Sequence, residues 1–359
     1  MDVALKIWRY DADSGDRELR DYEIEAPEWA CLLDVLDLIK DQQDGTLAYR
    51  KSCRMMICGS CGMRMDGRAV LACKERMLPI VESGHVPVIS AMGNLPVIKD
   101  LVVDMEPFWG KIRAVKPWLD SGYDEVTEKE RIVSQQQMNA IHKESLCIMC
   151  GCCVSECNSM ESDPAFLGPA ALAKGFRFVG DVRDQADVAR LNKYNEEHGI
   201  WDCTRCYFCN ERCPKGVDPR DAIAKLGAES IKQNVDHDMG AKHAKWFVKS
   251  AETTGWLRET ELVPKTQGIV SAVKEIGFAL NLAKKGKVPP PFPPHVAKDV
   301  GEARALHDLV RQQGREGAAG IVQGERGLAM IEHVLEADPE RAPANRIKPE
   351  EAGGKSGGD

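Results

Sequence analysis

Cys53-Arg54-Met55-Met56-Ile57-Cys58-Gly59-Ser60-Cys61, with Cys73 following after eleven intervening residues, decides the reading of this chain. Three thiols crowd one tight loop and a fourth returns from further along. Gly59, Ser60 and Gly62 let the backbone wrap closely and aim N–H groups at sulfur. Two further runs share a single spacing: Cys147-x2-Cys150-x2-Cys153-x3-Cys157 and Cys203-x2-Cys206-x2-Cys209-x3-Cys213, the second followed by Pro214. Twelve of the 14 cysteines belong to these three sets, leaving Cys31 and Cys152 over. Disulfides on this scale belong to secreted proteins. The start Met1-Asp2-Val3-Ala4-Leu5-Lys6 has no basic region leading into an apolar one, so no signal peptide is expected. No apolar run is long enough to span a bilayer. A pI of about 5.6 with 29% charged residues offers nothing for nucleic acid. The cysteines therefore read as metal ligands.

The first spacing is that of plant-type ferredoxins, which points to a [2Fe–2S] cluster on Cys53, Cys58, Cys61 and Cys73. Two irons and two bridging sulfides need four thiolates around a small core. Three of them come from one loop and the fourth must come back to it. The repeated run is the signature of bacterial two-cluster ferredoxins, in which the fourth cysteine of each run reaches across to the other cubane. That arrangement assigns Cys147, Cys150, Cys153 and Cys213 to one cluster and Cys203, Cys206, Cys209 and Cys157 to the other. Zinc rarely uses a four-residue gap in a Gly-rich loop with a distant fourth ligand, and it has no need of a repeated Cys-x2-Cys-x2-Cys. Cys31 reads as a structural thiol and Cys152 as a packing residue. Arg50, Lys51, Arg54, Arg64 and Arg68 surround the first loop. They either offset cluster charge or dock a partner, or they form an ordinary solvated surface.

Outward from the cysteines, Val3, Leu5 and Ile7 alternate as in a half-buried strand, with Tyr22-Glu23-Ile24 a second candidate and Val86 to Ile89 another. Leu32, Val35, Leu36 and Ile39 form a helical stripe. The cysteine-bearing stretch Lys51 to Cys73 reads as a loop. Helical periodicity dominates from about Met105. Residues 220–285 read as helical, Val288 to Pro294 as a proline break, and 303–312 and 327–337 as further helices. The fold class is therefore α+β. A β-grasp plant-type [2Fe–2S] ferredoxin domain (1–105) precedes an all-α domain with two cubanes (106–245). A helical extension suited to partner docking (246–340) and a disordered tail (341–359) follow. Ile269, Val273, Ile276 and Leu280 form an apolar stripe in the extension, near Lys274, Lys284, Lys285 and Lys287. The stripe packs on the chain's own cubane domain, on a partner or on a membrane surface, and partner docking is the favoured reading.

This domain order resembles the iron–sulfur subunits of succinate dehydrogenases and fumarate reductases. Val97 to Met105 looks like that family's interdomain segment. Cys147-Ile148-Met149-Cys150-Gly151-Cys152-Cys153, Leu167-Gly168-Pro169-Ala170 and Cys213-Pro214-Lys215-Gly216 also match, so the resemblance covers about residues 1–235. Three departures qualify it. The commonest members replace the middle cysteine of the third run by an apolar residue and hold [3Fe–4S] there; Cys206 implies [4Fe–4S], with [3Fe–4S] the alternative. Where those members carry Pro, a quinone-contacting Trp and a His, this chain has Asn158, Ser162 and Thr204. The chain also runs about 120 residues past the family's usual end. Together these features resemble the non-classical branch, in which a cysteine-rich-domain subunit replaces the membrane anchor. The segment Leu280 to Pro289 is similar to the tail of the small subunit of heterodisulfide reductases.

The resemblance implies an oxidoreductase subunit of a respiratory, tricarboxylic-acid-cycle complex, with no catalytic residue of its own. Single electrons would pass between a FAD-containing flavoprotein and quinone, or a membrane-anchor or cysteine-rich-domain subunit. It places the chain peripherally on the cytoplasmic side of the inner membrane. The alternative keeps the clusters and changes the partner to a thiol- or heterodisulfide-linked oxidoreductase. A purely structural cluster protein is disfavoured, because three clusters of two types make a relay.

Overall fold

The computed structural model describes residues 1–121, 132–287 and 296–316. Strand β1 (Asp2–Tyr10) alternates as expected and buries Val3, Leu5 and Ile7. It pairs antiparallel with β2 (Arg17–Glu25), which buries Tyr22 and Ile24. Helix α1 (Leu32–Gln42) covers the sheet with Leu32, Leu33, Val35, Leu36 and Ile39. Cys31 caps that helix: its backbone N–H donates to Asp34 Oδ2 at 3.0 Å and its thiol donates to the same oxygen at 2.9 Å.

The expectation of a loop from Lys51 to Cys73 needs correction. Its second half is a hairpin of β3 (Gly62–Met65) and β4 (Arg68–Leu71). Asp66 and Gly67 turn it with φ of 52° and 74°, the pair of left-handed residues that a two-residue type I′ turn requires. After the short helix α2 (Leu78–Glu82), strand β5 (Val88–Ser90) enters between β1 and β3, parallel to the former and antiparallel to the latter. The five-stranded order is β2-β1-β5-β3-β4. A β6–β7 hairpin (Val97–Lys99, Val102–Val103) leads out of the sheet. Buried Asp100 anchors this exit, accepting from Arg9 Nε at 2.9 Å, Tyr10 N at 3.1 Å and Ala48 N at 2.8 Å. Losing that carboxylate would leave a buried guanidinium half-paired, a change costing about 3–5 kcal/mol.

The second region is helical: α3 (Glu106–Ala114), α4 (Gln135–Ala140), α5 (His142–Ser145), α6 (Cys152–Ser155), α7 (Asn158–Ser162), α8 (Gly168–Val179), α9 (Asp187–Tyr194), α10 (Phe208–Glu211) and α11 (Pro219–Lys232). At its centre α8, through Leu172, Ala173 and Phe176, shares a core with Ala222, Ile223 and Leu226 of α11. The two cores interlock. Met92, Leu95 and Val103 of the first region pack into the helical core, while Ile148, Cys150 and Cys152 pack into the sheet core. Hydrogen bonds cross the same seam. Arg64 on β3 donates to Glu156 Oε1 at 2.9 Å and Ser155 Oγ at 3.1 Å, and Asn94 Nδ2 donates to the carbonyls of Val154 and Cys157 at 2.8 and 3.0 Å.

The extension comprises α12 (Met239–Thr254), α13 (Glu259–Thr266), α14 (Ile269–Lys274), α15 (Ile276–Lys284) and α16 (Val300–Glu316). Arg258 and Lys265 lie over the Trp246 ring, which closes the corner between α12 and α13. Neither α14 nor α15 buries any residue. Ile269, Val273, Ile276 and Leu280 are each more than half exposed, so the stripe does not pack on the cubane region. The expected proline break at Val288 to Pro294, the helix at 327–337 and the tail at 341–359 lie outside the described residues.

Candidate iron–sulfur centres

The hairpin explains the long gap in the first cysteine set. β3 begins directly after Cys61 and β4 ends two residues before Cys73, so the turn at Asp66-Gly67 returns Cys73 to its neighbour Cys61. In the loop itself, Arg54 and Met56 take left-handed φ of 58° and 59°. This alternation turns successive N–H groups to one side, as in an anion-binding nest. Cys53 Sγ accepts from Met55 N and Ile57 N at 3.4 Å and from Cys58 N at 3.3 Å. Hydrogen bonding to the Ser60 side chain, 3.1 Å away, and to backbone N–H groups lowers the Cys58 thiol to about 6. Burial pushes Cys61 up to about 12.

The two repeated runs share one backbone. Met149 and Gly151 in the first have φ of 54° and 83°, and Arg205 and Tyr207 in the second have 57° and 68°. Each run then turns into a single-turn helix, α6 or α10, which carries Cys153 or Cys209, and the fourth cysteine follows it. Arg205 N donates to Cys203 Sγ at 3.4 Å and Val217 N to Cys213 Sγ at 3.3 Å. Cys147, Cys150, Cys153 and Cys213 line one cavity with Ala170 and Ala173 of α8. Cys157 lies beside Cys203 and Cys206, and Cys209 neighbours all three. The fold thus brings the fourth cysteine of each run to the other run's first three. Cys153 also feels Cys209, so the two groups adjoin.

Burial raises the thiols of Cys147, Cys157 and Cys203, pushes Cys209 up to about 12, and lifts Cys153 well above the ordinary range. Four thiolates this close cannot ionise together in a dry pocket unless a cationic core holds them. Iron fits that demand, and all 14 cysteines are free of disulfides. Among the described residues, the group of three metal-ligating side chains whose ligand atoms lie within 4.8 Å of one another is Asp163, His198 and Asp202.

Cys152 is wholly buried, as expected of a packing residue, and it also does something the spacing did not reveal. Its S–H hydrogen-bonds to Cys150 and, with backbone donors, holds that thiol at about 7. The seam contacts of Arg64 and Asn94 gave no signal either, because their partners lie 60 or more residues away. Three of the five basic residues around the first loop are engaged in ion pairs: Lys51 and Arg54 with Asp37, and Arg64 with Glu156. Of the altered positions, Thr204 is tied to α7, where Ser159 Oγ accepts from Thr204 N at 3.1 Å, while Ser162 at the end of that helix is exposed.

Fold and sites together define an electron-transfer protein with one ferredoxin-like domain and one helical dicluster domain. Residues 4–110 match the family model of a 2Fe-2S iron-sulfur cluster binding domain, and residues 144–217 that of a 4Fe-4S dicluster domain. The chain is 34% identical to the 8-methylmenaquinol:fumarate reductase iron-sulfur subunit of Wolinella succinogenes, over 79% of this chain and 90% of that one. It is 44% identical to a fumarate reductase iron-sulfur subunit of Mycobacterium tuberculosis, over 62% and 90%. A chain of the Mycobacterium smegmatis Sdh1 complex superposes with a TM-score of 0.57 at 26% identity, over 66% of this chain and 98% of that one. The chain belongs to the iron–sulfur subunits of succinate dehydrogenase and fumarate reductase, and it is an electron-transfer subunit of such a complex. These matches favour that role over a thiol- or heterodisulfide-linked relay. The Wolinella match covers more of this chain than the Mycobacterium tuberculosis one, enough to take in part of the extension.

Proposed function

We propose that Cys53, Cys58, Cys61 and Cys73 hold a [2Fe–2S] cluster, Cys147, Cys150, Cys153 and Cys213 a [4Fe–4S] cluster, and Cys157, Cys203, Cys206 and Cys209 a second [4Fe–4S] cluster. When bound, the clusters supply one-electron steps that divide the two-electron couple of a FAD-containing flavoprotein. The chain's own residues fix and tune these sites. Backbone N–H groups of the first loop and of Arg205 and Val217 point at sulfur and stabilise negative charge there. The apolar walls at Ala170 and Ala173 keep water from the first cubane site. The seam through Arg64 and Asn94 holds the sheet and helical regions in register.

The observation that carries the reading is the crossover of Cys157 and Cys213 between the two thiol groups. Cys206, rather than an apolar residue, supports four irons in the third cluster. The exposed stripe on α14 and α15 is the surface offered to the downstream subunit, a cysteine-rich-domain protein or another membrane anchor. The complex lies at the cytoplasmic side of the inner membrane, and no described helix is long and apolar enough to cross it.

The test is a cysteine series read by iron content and EPR. Cys213→Ala is expected to lose the same cluster as Cys147→Ala, Cys157→Ala the same as Cys203→Ala, and Cys73→Ala the [2Fe–2S] signal alone. If Cys213→Ala instead affects the same signal as Cys209→Ala, the crossover is wrong.

A further inference from the structure

The loop that carries Cys58 and Cys61 rests directly on Cys150. Gly59 lies between the two cysteines of the first set with φ of 71°. A Cβ placed on it would stand 2.7 Å from Cys150 Cβ, 2.8 Å from Cys150 Cα and 3.2 Å from the Ile148 carbonyl oxygen. No real side chain tolerates those distances. Adding one C–C bond of about 1.5 Å, the Gly59 Cα itself sits in van der Waals contact with Cys150. A second glycine supports the approach: a Cβ on Gly62 would meet Met92 Sδ at 3.0 Å and the Cys150 carbonyl at 3.2 Å. Cys150 and its neighbour Cys152 are buried in the sheet region's core alongside Cys61 and Met63. The closeness of the two sites is therefore built into the interlocked cores and does not depend on a mobile surface contact.

We propose that the Gly59–Cys150 contact is where electrons cross between the first two clusters, and that Gly59 is a positioning residue whose missing side chain sets that gap. The inference rests on the ligand assignment made above. In the step, one electron would move between the [2Fe–2S] site and the neighbouring cubane, the donor oxidised by one and the acceptor reduced by one. No bond is made or broken and no proton moves. Electronic coupling between two sites falls steeply with each added ångström of non-bonded gap. A methyl group wedged between Gly59 and Cys150 must push the loops apart or tilt one of them, because the atoms it meets belong to Cys150's own backbone and Cβ rather than to the far end of a flexible side chain.

The control comes from the same domain. Gly67 has φ of 74° and nothing within 4 Å of its Cβ position. Gly67→Ala therefore imposes the same left-handed strain without the contact. The experiment uses the full chain, purified anaerobically with its clusters, and reads power saturation of the [2Fe–2S] EPR signal with the first cubane oxidised and then reduced. Wild type and Gly67→Ala are expected to show faster relaxation of that signal once the neighbour is reduced. Gly59→Ala is expected to weaken this enhancement while keeping both signals and its iron. If Gly59→Ala fails to load the first cluster, Gly62→Ala, which carries no left-handed strain, is expected to weaken the same enhancement. Wild-type enhancement in a fully loaded Gly59→Ala protein, or in Gly62→Ala where that variant carries the test, overturns the inference and leaves the ligand assignment standing. Absence of the [2Fe–2S] or the [4Fe–4S] signal from wild type overturns the assignment itself, and the inference with it.

Discussion

The runs Cys147–Cys157 and Cys203–Cys213 have the same spacing and the same alternation of backbone hand, yet they occupy opposite settings. In the first, the left-handed residue after the second cysteine is Gly151, enclosed by Met92 and Met105, and Cys150, Cys152 and Cys153 are all buried. In the second, the corresponding residue is Tyr207, close to half exposed, with Arg220 stacked over its ring and Phe208 beside it. One backbone recipe thus serves both a buried and a more exposed setting. The cysteine spacing is common to both, and the residues between the cysteines set the surroundings of each run.

The largest effect is expected from exchanging those neighbours in the crowded direction. Gly151→Tyr adds a ring where Met92 Sδ already lies 3.6 Å from the Cβ position. Overpacking and left-handed strain together cost about 2–5 kcal/mol, read as a lower denaturation midpoint or loss of folded protein. The reverse change is mild. Tyr207→Gly relieves about 1–2 kcal/mol of left-handed strain and gives up a cation–π contact worth about 0.5–1 kcal/mol. Its midpoint should therefore stay at or slightly above wild type. A clear fall would mean that Tyr207 packs more than its exposure indicates.

Iron removal sharpens the contrast. Under a chelator with mild oxidant, the signal of the cluster on Cys157, Cys203, Cys206 and Cys209 is expected to decay before that on Cys147, Cys150, Cys153 and Cys213, because solvent reaches the second run more readily. Equal decay would show that burial does not protect the first.

How much of this was legible in the residues follows from physical range. A cysteine gap of two or three residues is set by local backbone geometry, so spacing alone reveals it. The Cys61 to Cys73 gap also carried its explanation, since Asp66-Gly67 is a hairpin signal inside what reads as loop. The alternation of Val3, Leu5 and Ile7 and the stripe of α1 emerged as written. The interlocking of the cores did not, because Met92 meets the helical core and Ile148 the sheet core through contacts between residues far apart in sequence. Cys152 was visible as surplus, and its role as a donor to Cys150 needed the fold.

That donor gives the smallest expected effect. Cys152→Ala should keep all three clusters and lower the reduction potential of the first cubane, since a hydrogen bond to a ligand sulfur stabilises the more negative, reduced state. Redox titration of its EPR signal reads the shift, and an unchanged potential would reduce Cys152 to packing alone.

The central claim, three clusters with four irons in each of the last two, is tested most directly by iron content with EPR on anaerobically purified protein. The expected result is about ten irons per chain, with [2Fe–2S] and [4Fe–4S] signals on reduction and no strong signal before it. A strong oxidised [3Fe–4S] signal in undamaged protein would contradict the role given to Cys206, and stoichiometric zinc in place of iron would contradict the whole account.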